Sequence, residues 1–191
     1  MYGVDLKQDV IEYCSSVAER QGFTGLHFVS GNINEYDPPK APDMVISLHA
    51  CDIATDIVLY NAARWDTKII LSTPCCHHEM SKQLSASPKA PALMREQLGF
   101  ILERPLPKQK FCDAATDSLR ALRLESLGYS VTTLELIDPD ETPKNLMLRA
   151  VKSSPDEKKQ CAALKEYERI CAALGIEPFL DRLIKKEYEK N

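Results

Sequence analysis

Two runs of Val, Ile and Leu without polar alternation constrain the fold of this chain more than any other feature. They are "DMVISLHA" at residues 43–50 and "TKIILSTP" at residues 67–74, and they flank "TDIVLYNAARW", whose spacing predicts a helix. Apolar strands separated by a helix are typical of a parallel sheet that helices cover on both faces. The pattern therefore predicts an α/β fold with two buried parallel strands.

The flanking segments extend this pattern in both directions. A short strand ends at Asp5, a helix follows as far as Gly22, and "LHFVSGNI" is a second β-rich run. After Pro74 the sequence predicts an irregular stretch over 75–92, a helix over 93–103, a loop at "RPLPKQK" and a helix over 113–128.

Two further strands, "YSVTTLELI" and "LMLRAV", are separated by about eight residues. A crossover helix needs about a dozen residues, so these two strands should be antiparallel. From about residue 154 the sequence becomes helical and charged. We therefore expect an α/β domain over residues 1–152 and a C-terminal helical extension over residues 153–191.

Composition excludes several classes of protein. The net charge is −4 and the pI is about 5.6, so no global basic field disposes the chain to bind nucleic acid as its sole partner. No signal-peptide pattern and no apolar run of about 18 residues is present, which predicts a cytoplasmic protein without a membrane span. Seven cysteines, an odd number, indicate reduced thiols.

Polar residues at the ends of the first two strands are candidates for a nucleotide-type cofactor site. A carboxylate at the carboxyl edge of a parallel strand can accept hydrogen bonds from both ribose hydroxyls, and Asp5 fits that place. Asp5 could instead cap the following helix. Asn32 closes the next strand, where it could meet a base edge or simply form a turn.

The two central strands each end in a polar cluster. "SLHACDIATD" supplies His49, Cys51, Asp52 and Asp56, and "STPCCHHEM" follows the next strand. The carboxyl ends of parallel strands meet at one edge, so the two clusters should be neighbours. Either Asp52 or Asp56 could cap the helix that begins there.

Four interpretations of the second cluster remain open: a metal site, an activated cysteine nucleophile, a ligand pocket, and thiols and histidines simply packed under a loop. Cys75 and Cys76 form a poor chelating pair if adjacent side chains diverge, which disfavours a metal. A nucleophilic cysteine needs an adjacent base, and either His77 or His78 could supply one. No oxyanion hole is evident, however, so we favour a pocket without a metal.

Polar residues in the second half of the chain are weaker candidates. Arg120 and Arg123 on one helix could bind an anion, although such a pair is more often a surface or ion-pair feature. Lys144 and Asn145 could contribute to a pocket from the turn between the antiparallel strands.

The combined motifs "GVDLKQDVI", "DMVISLHACDIATD", "ILSTPCCHHE", "TDSLRALRLESLGY" and "TPKNLMLRA" resemble a family of class I S-adenosylmethionine-dependent methyltransferase domains. That family includes methyltransferase-like and glutathione S-transferase C-terminal-domain-containing proteins. The "HACD" and "CCHH" elements are also similar to a eukaryotic tRNA 2′-O-methyltransferase. The resemblance covers about residues 2–152. It implies a Rossmann-like sheet that is mostly parallel with an antiparallel last strand.

The resemblance also implies roles for individual residues. Asp5 would bind the cofactor ribose and Asn32 would lie near the adenine. His49 would contact the cofactor and, with Asp52 and His78, would be a catalytic candidate. The acceptor pocket would be formed by Asp56, Pro74, Cys75 and Cys76. The implied partners are S-adenosylmethionine and a methyl acceptor, with RNA as the leading acceptor class.

The family's glycine-rich loop should precede "GVDLK", so the chain resembles the back part of such a domain without the first strand and its loop. A sheet lacking a central strand would expose pairing edges, which favours a homodimer. Two alternatives to an enzyme follow: a non-catalytic module for dimerisation or partner binding, and a thiol or zinc protein built on the "CCHH" cluster.

Overall fold

The protein forms two compact units, Met1–Lys40 and Ala41–Asn191. A computed structural model describes residues 1–86, 92–138, 140–142 and 144–188. The division between the units lies within the proline-rich segment "EYDPPKAP" at residues 35–42. The predicted boundary between residues 152 and 153 stays a prediction.

The first unit is a parallel strand pair with one helix. Strand β1 spans Tyr2–Asp5, helix α1 spans Gln8–Arg20 and strand β2 spans His27–Ser30. Tyr2 pairs with His27 and Asp5 with Ser30, so the two strands end together. The predicted strand, helix and β-rich run are confirmed.

The second unit contains four strands and six helices among its described residues. They are β3 (Met44–Leu48), α2 (Ile53–Arg64), β4 (Ile69–Thr73), α3 (His78–Ala86), α4 (Ala92–Leu102), α5 (Pro105–Ser126), β5 (Tyr129–Glu135), β6 (Leu146–Lys152), α6 (Glu157–Leu174) and α7 (Phe179–Tyr188). No helix in the described part of the chain is both long and apolar enough to cross a membrane.

The sheet of the second unit has the order β3-β4-β6-β5. Strands β3 and β4 are parallel, and β5 and β6 are antiparallel, as predicted. Strand β6, the last in the sequence, is antiparallel to both of its neighbours β4 and β5, whereas β3, β4 and β5 run in one direction. The predicted antiparallel last strand is therefore confirmed in this sheet, and β1 and β2 pair in a separate two-stranded sheet.

Strand β3 is covered on one face only. Ser47 is buried, whereas Met44, Ile46 and Leu48 are 45%, 54% and 63% exposed. Alternate residues of a strand point to opposite faces, so these three side chains share the open face. The expectation that helices cover both faces is therefore wrong for β3 among the described residues.

Helices close the other face of this sheet. One apolar cluster joins α2, α5 and α7 to the strands, and its buried members are Leu59, Ala62, Ile70, Leu124, Tyr129, Ala150, Leu180 and Ile184. A second cluster lies among α3, α5 and α6, with buried members Met80, Leu84, Cys112, Leu119, Tyr167, Leu174 and Ile176. The predicted C-terminal helices thus supply side chains to both clusters.

Two segments differ from the sequence prediction. The stretch expected to be irregular contains helix α3, whereas its residues 87–91 lie outside the described residues. The expected loop "RPLPKQK" forms the first turns of α5, which begins at Pro105. Proline is tolerated there because the first N–H groups of a helix have no intrahelical acceptor.

Candidate functional site

The predicted adjacency of the two polar clusters is confirmed. Leu48 pairs with Thr73 at the carboxyl ends of β3 and β4, and the His49 N–H donates to the Thr73 carbonyl at 3.0 Å. The Glu79 N–H donates to Asp52 Oδ1 at 3.0 Å, which ties the β3–α2 loop to the first turn of α3. The two loops therefore form one surface at the edge of the sheet.

The β3–α2 loop has an unusual backbone. His49 and Asp52 have φ angles of 57° and 53°, in the left-handed region that residues other than glycine seldom adopt. Such conformations persist where the surrounding contacts enforce them, and they concentrate at functional sites. Thr55 Oγ1 supports the turn by donating to the Ala50 carbonyl at 2.5 Å.

Neither aspartate of this loop caps helix α2 through its side chain. Asp52 occupies the N-cap position, but its carboxylate accepts from Glu79 instead. Asp56 is buried and accepts from Arg120. The expectation that one of them caps the helix is therefore wrong, because each carboxylate has a tertiary partner.

Three thiols converge at this edge. The Sγ atom of Cys51 lies 3.3 Å from that of Cys75 and 3.7 Å from that of Cys76, and the two adjacent cysteines are themselves 3.7 Å apart at sulfur. Cys51 is exposed and the other two are half-buried. The expectation that the adjacent side chains diverge is wrong, because the turn after Thr73 aims both sulfurs at Cys51.

The three thiols also affect one another electrostatically. Burial and hydrogen bonds with Cys51 and Cys76 raise the pKa of Cys75 to about 12. Without a cation nearby, the Cys75 thiol therefore remains protonated at neutral pH. An activated cysteine nucleophile requires the opposite shift, so this environment does not favour nucleophilic catalysis by Cys75.

A buried network of polar and charged side chains lies behind the loop between β4 and α3. Arg120 Nε donates to Asp56 Oδ1 at 2.7 Å, and its Nη1 donates to Asp117 Oδ1 at 3.0 Å. His77 Nε2 lies 2.9 Å from that same Asp117 oxygen. All four side chains are buried. The Arg120 guanidinium compensates the charges of the Asp56 and Asp117 carboxylates here, which buried charges require.

Asp113 and Lys144 extend this network to the lining of a nearby cavity. His77 Nδ1 lies 3.1 Å from Asp113 Oδ1, and Lys144 Nζ donates to Asp113 Oδ2 at 2.5 Å. From the sequence, His77 is predicted only as a possible base beside a cysteine nucleophile, and neither of its two aspartate neighbours is predicted. The sequence of α5 does contain a hint of this arrangement, because Asp113, Asp117 and Arg120 have the helical spacing that places them on one face.

Arg120 and Arg123 are structural and not anion-binding in this fold. Both side chains are buried, and Arg123 Nε donates to Asp181 Oδ1 at 3.1 Å. The ion-pair alternative is therefore confirmed, although the pairs lie in the interior and not on the surface.

A cavity of about 580 Å³ opens beside the thiols. Its size is in the range of small-molecule sites. Its lining is mixed in charge and consists of Cys75, Cys76, His77, His78, Ser81, Leu102, Glu103, Pro105, Lys108, Gln109, Cys112, Asp113 and Lys144. Lys144 thus contributes to this pocket, whereas Asn145 donates to the Ile137 carbonyl within its own turn.

The predicted pocket residues divide between two places. Cys75, Cys76 and His78 line this cavity, and Pro74 is buried in the same turn. Asp56 lies instead beside a smaller cavity whose lining includes Glu79 and Tyr167. Burial raises the pKa of Glu79 against the opposing effects of the Phe179 N–H and Arg182.

The candidate cofactor residues of the first unit lie at the ends of paired strands. Asp5 is exposed, and its Oδ1 accepts from the Lys7 N–H at 2.8 Å. Asn32 is also exposed, and its Oδ1 accepts from the Asn34 N–H at 3.0 Å. Lys7 is the N-cap of α1 and no side chain caps that helix, so Asp5 orders the turn before it. An exposed carboxylate at this edge fits a ribose.

A family model described as a methyltransferase domain matches residues 1–83. No curated protein matches the chain. The matched segment runs from β1 into α3 and contains the candidate residues at the strand ends, from Asp5 to His78, but not the weaker candidates of the second half of the chain. The match supports a methyltransferase family and, at that level, a methyltransferase-type function.

Proposed function

We propose that this protein is an S-adenosylmethionine-dependent methyltransferase that acts on an oxygen or nitrogen atom of its acceptor. The observation that carries the proposal is the exposed carboxylate of Asp5 at the carboxyl end of a parallel strand, within the segment that matches a methyltransferase domain. Open α/β folds bind nucleotide-type cofactors at this edge.

The cofactor would be held by residues that the sequence already indicates. Asp5 would accept hydrogen bonds from the ribose hydroxyls through the oxygen that does not bind the Lys7 N–H, Asn32 would lie against the adenine, and His49 would be a third cofactor contact. S-adenosylmethionine, when bound, supplies an electrophilic methyl group on a sulfonium centre. The chain must then orient the acceptor and remove its proton.

His49, Asp52 and His78 are the candidate bases. His78 is exposed and lines the cavity, which gives its imidazole access to an acceptor. Asp52 is fixed by the Glu79 N–H, so its second oxygen is held in a defined direction. We propose His78 as the general base and Asp52 as a residue that positions the loop.

RNA is the proposed acceptor class. Lys108 and Lys144 line the cavity, and lysine side chains commonly contact phosphate oxygens. Their charges are local, which is compatible with the negative net charge of the whole chain. Homodimer formation stays a prediction of the sequence.

Calorimetric titration with S-adenosylhomocysteine tests the proposal. We expect binding by the wild-type chain that Asp5→Ala abolishes. Asp5→Asn retains an oxygen for the Lys7 N–H but loses the charge, so we expect it to weaken binding by about tenfold, which equals about 1.4 kcal/mol. Asp9→Asn, an exposed position in the first turn of α1, is the matched control and should bind like the wild type.

The outcomes separate the proposed functions. Equal binding by Asp5→Ala and the wild type would refute the ribose contact. Lack of binding by a folded wild-type chain would contradict the enzyme and favour the non-catalytic module. If binding is observed, transfer of a labelled methyl group to total RNA, and its loss in His78→Gln, tests the acceptor class and the base.

A further inference from the structure

The three sulfur atoms at the ends of β3 and β4 have the spacing of metal ligands. Their separations are 3.3, 3.7 and 3.7 Å. Tetrahedral zinc binds thiolates at about 2.3 Å, which places two thiolate sulfurs about 3.8 Å apart. The sulfur atoms of Cys51 and Cys75, which are the closest pair, therefore need to move apart by only about 0.5 Å for the three thiolates to bind one ion.

The backbone holds this triangle in place from two directions. Cys51 lies between His49 and Asp52, both in the left-handed region, so a sharp turn projects its side chain toward β4. Cys75 and Cys76 follow the buried Pro74 and precede α3, whose Glu79 N–H is bound by Asp52. One hydrogen bond thus connects the two loops that carry the ligands. A site prepared in this way loses little conformational freedom when an ion binds.

We propose that Cys51, Cys75 and Cys76 bind one Zn²⁺ ion as thiolates. These are the only three His, Cys, Asp or Glu residues of the described part of the chain whose ligand atoms converge within 4.8 Å. Three protein ligands leave the fourth position of a tetrahedral ion for water or another small ligand. Cys51 is exposed, so solvent reaches this position.

The chemistry of the donors selects the ion. Three soft sulfur ligands favour Zn²⁺ over Mg²⁺ or Ca²⁺, which prefer oxygen. Cys75 and Cys76 also line the 580 Å³ cavity, so the open position of the ion is accessible to small molecules. Zinc binding by these three cysteines is independent of methyl transfer, because it requires neither Asp5 nor a bound cofactor.

Titration of the reduced, metal-free chain with Co²⁺ tests the proposal directly. Cobalt bound by thiolates gives sulfur-to-cobalt charge-transfer absorption, and Zn²⁺ should then displace it. We expect one ion per chain. Cys51→Ser, Cys75→Ser and Cys76→Ser should each reduce the charge-transfer intensity and weaken binding at least tenfold. Cys161→Ser, at an exposed cysteine of α6, is the matched control and should behave like the wild type.

A second measurement uses the unsubstituted chain and does not depend on the folding of the variants. Peptide mass spectrometry after alkylation should show that Zn²⁺ protects the three cluster cysteines and not Cys161. Absence of cobalt charge transfer in the reduced wild type, or equal alkylation with and without Zn²⁺, would overturn the proposal. A metal-free chain whose freshly purified mass shows a Cys51–Cys75 disulfide would overturn it in favour of a redox pair.

The two functional proposals fail separately. Loss of cobalt binding in Cys76→Ser with unchanged S-adenosylhomocysteine binding supports the metal site by itself. Cofactor binding by a wild-type chain that takes up no metal overturns only the zinc inference.

Discussion

The imidazole of His77 lies between two carboxylates of helix α5, with Nε2 2.9 Å from Asp117 Oδ1 and Nδ1 3.1 Å from Asp113 Oδ1. Its neighbour His78 is exposed and lines the cavity. Two consecutive histidines therefore have different tasks. His77 fixes the start of α3 against α5, and His78 is available for chemistry.

This difference predicts opposite outcomes for one conservative substitution. His77→Gln should lower the free energy of unfolding of the second unit by about 1 to 3 kcal/mol, because the buried Asp117 carboxylate loses its hydrogen-bond partner at His77 Nε2. His78→Gln should change it by less than about 0.5 kcal/mol. Urea unfolding monitored by circular dichroism measures both, and equal losses would contradict the assignment.

Arg120 is expected to be essential for folding of the second unit. Arg120→Met leaves Asp56 and Asp117 buried without their shared cation and should cost about 3 to 5 kcal/mol. Arg169 pairs with Glu166 on the surface, with side chains 68% and 46% exposed. Arg169→Met is therefore the control, and it should cost at most about 1 kcal/mol. A small effect at both positions in chemical denaturation would show that the network is not stabilising.

The backbone conformation at the end of α5 requires a glycine at position 128. Its φ is 90°, and an added Cβ would lie 2.9 Å from Gln160 Nε2. Gly128→Ala should lower the free energy of unfolding by about 1 to 2 kcal/mol. Gly99 lies inside α4, where an added Cβ would make only ordinary van der Waals contacts, so Gly99→Ala should raise the free energy of unfolding by about 0.5 to 1 kcal/mol. Thermal unfolding of the two variants should give shifts of opposite sign.

The stability of the second unit at alkaline pH should depend on the ionisation of Tyr129. Burial raises the pKa of Tyr129 to about 12 from an ordinary value of 10, and its hydroxyl donates to the Thr67 carbonyl at 2.8 Å. The pKa of Tyr129 is higher in the folded than in the unfolded protein. The stabilisation that this residue contributes is therefore fully present below pH 10 and is lost as the pH rises through 12. Tyr129→Phe should cost about 1 kcal/mol at pH 7.

The cost of Tyr129→Phe should then shrink between pH 10 and 12, because only the wild type loses stability by ionising this residue. Tyr13 is 67% exposed, and Tyr13→Phe should show no such change. Urea midpoints measured at intervals from pH 7 to pH 12 give the comparison. A cost that stays constant over this range would contradict the assignment.

Sequence patterns were sufficient where the deciding interaction is local or follows from strand direction. The apolar runs predicted β3 and β4 as parallel strands, and parallel strands necessarily bring "HACD" and "CCHH" to the same edge. The eight-residue connection likewise predicted the antiparallel pairing of β5 and β6. The loop assigned to "RPLPKQK" was wrong, because two prolines in a first helical turn give the same composition as a loop.

By itself, the sequence determined the α/β elements, the direction of the strand pairs and the edge at which the polar clusters meet. Only the tertiary structure decided which side chains of those clusters touch. The convergence of Cys51 on Cys75 and Cys76 depends on a positive-φ turn and on one hydrogen bond between Asp52 and Glu79. The partners of His77 lie about 36 and 40 residues further along the chain. Contacts across such separations depend on how helices pack, and residue patterns within one segment do not encode that packing.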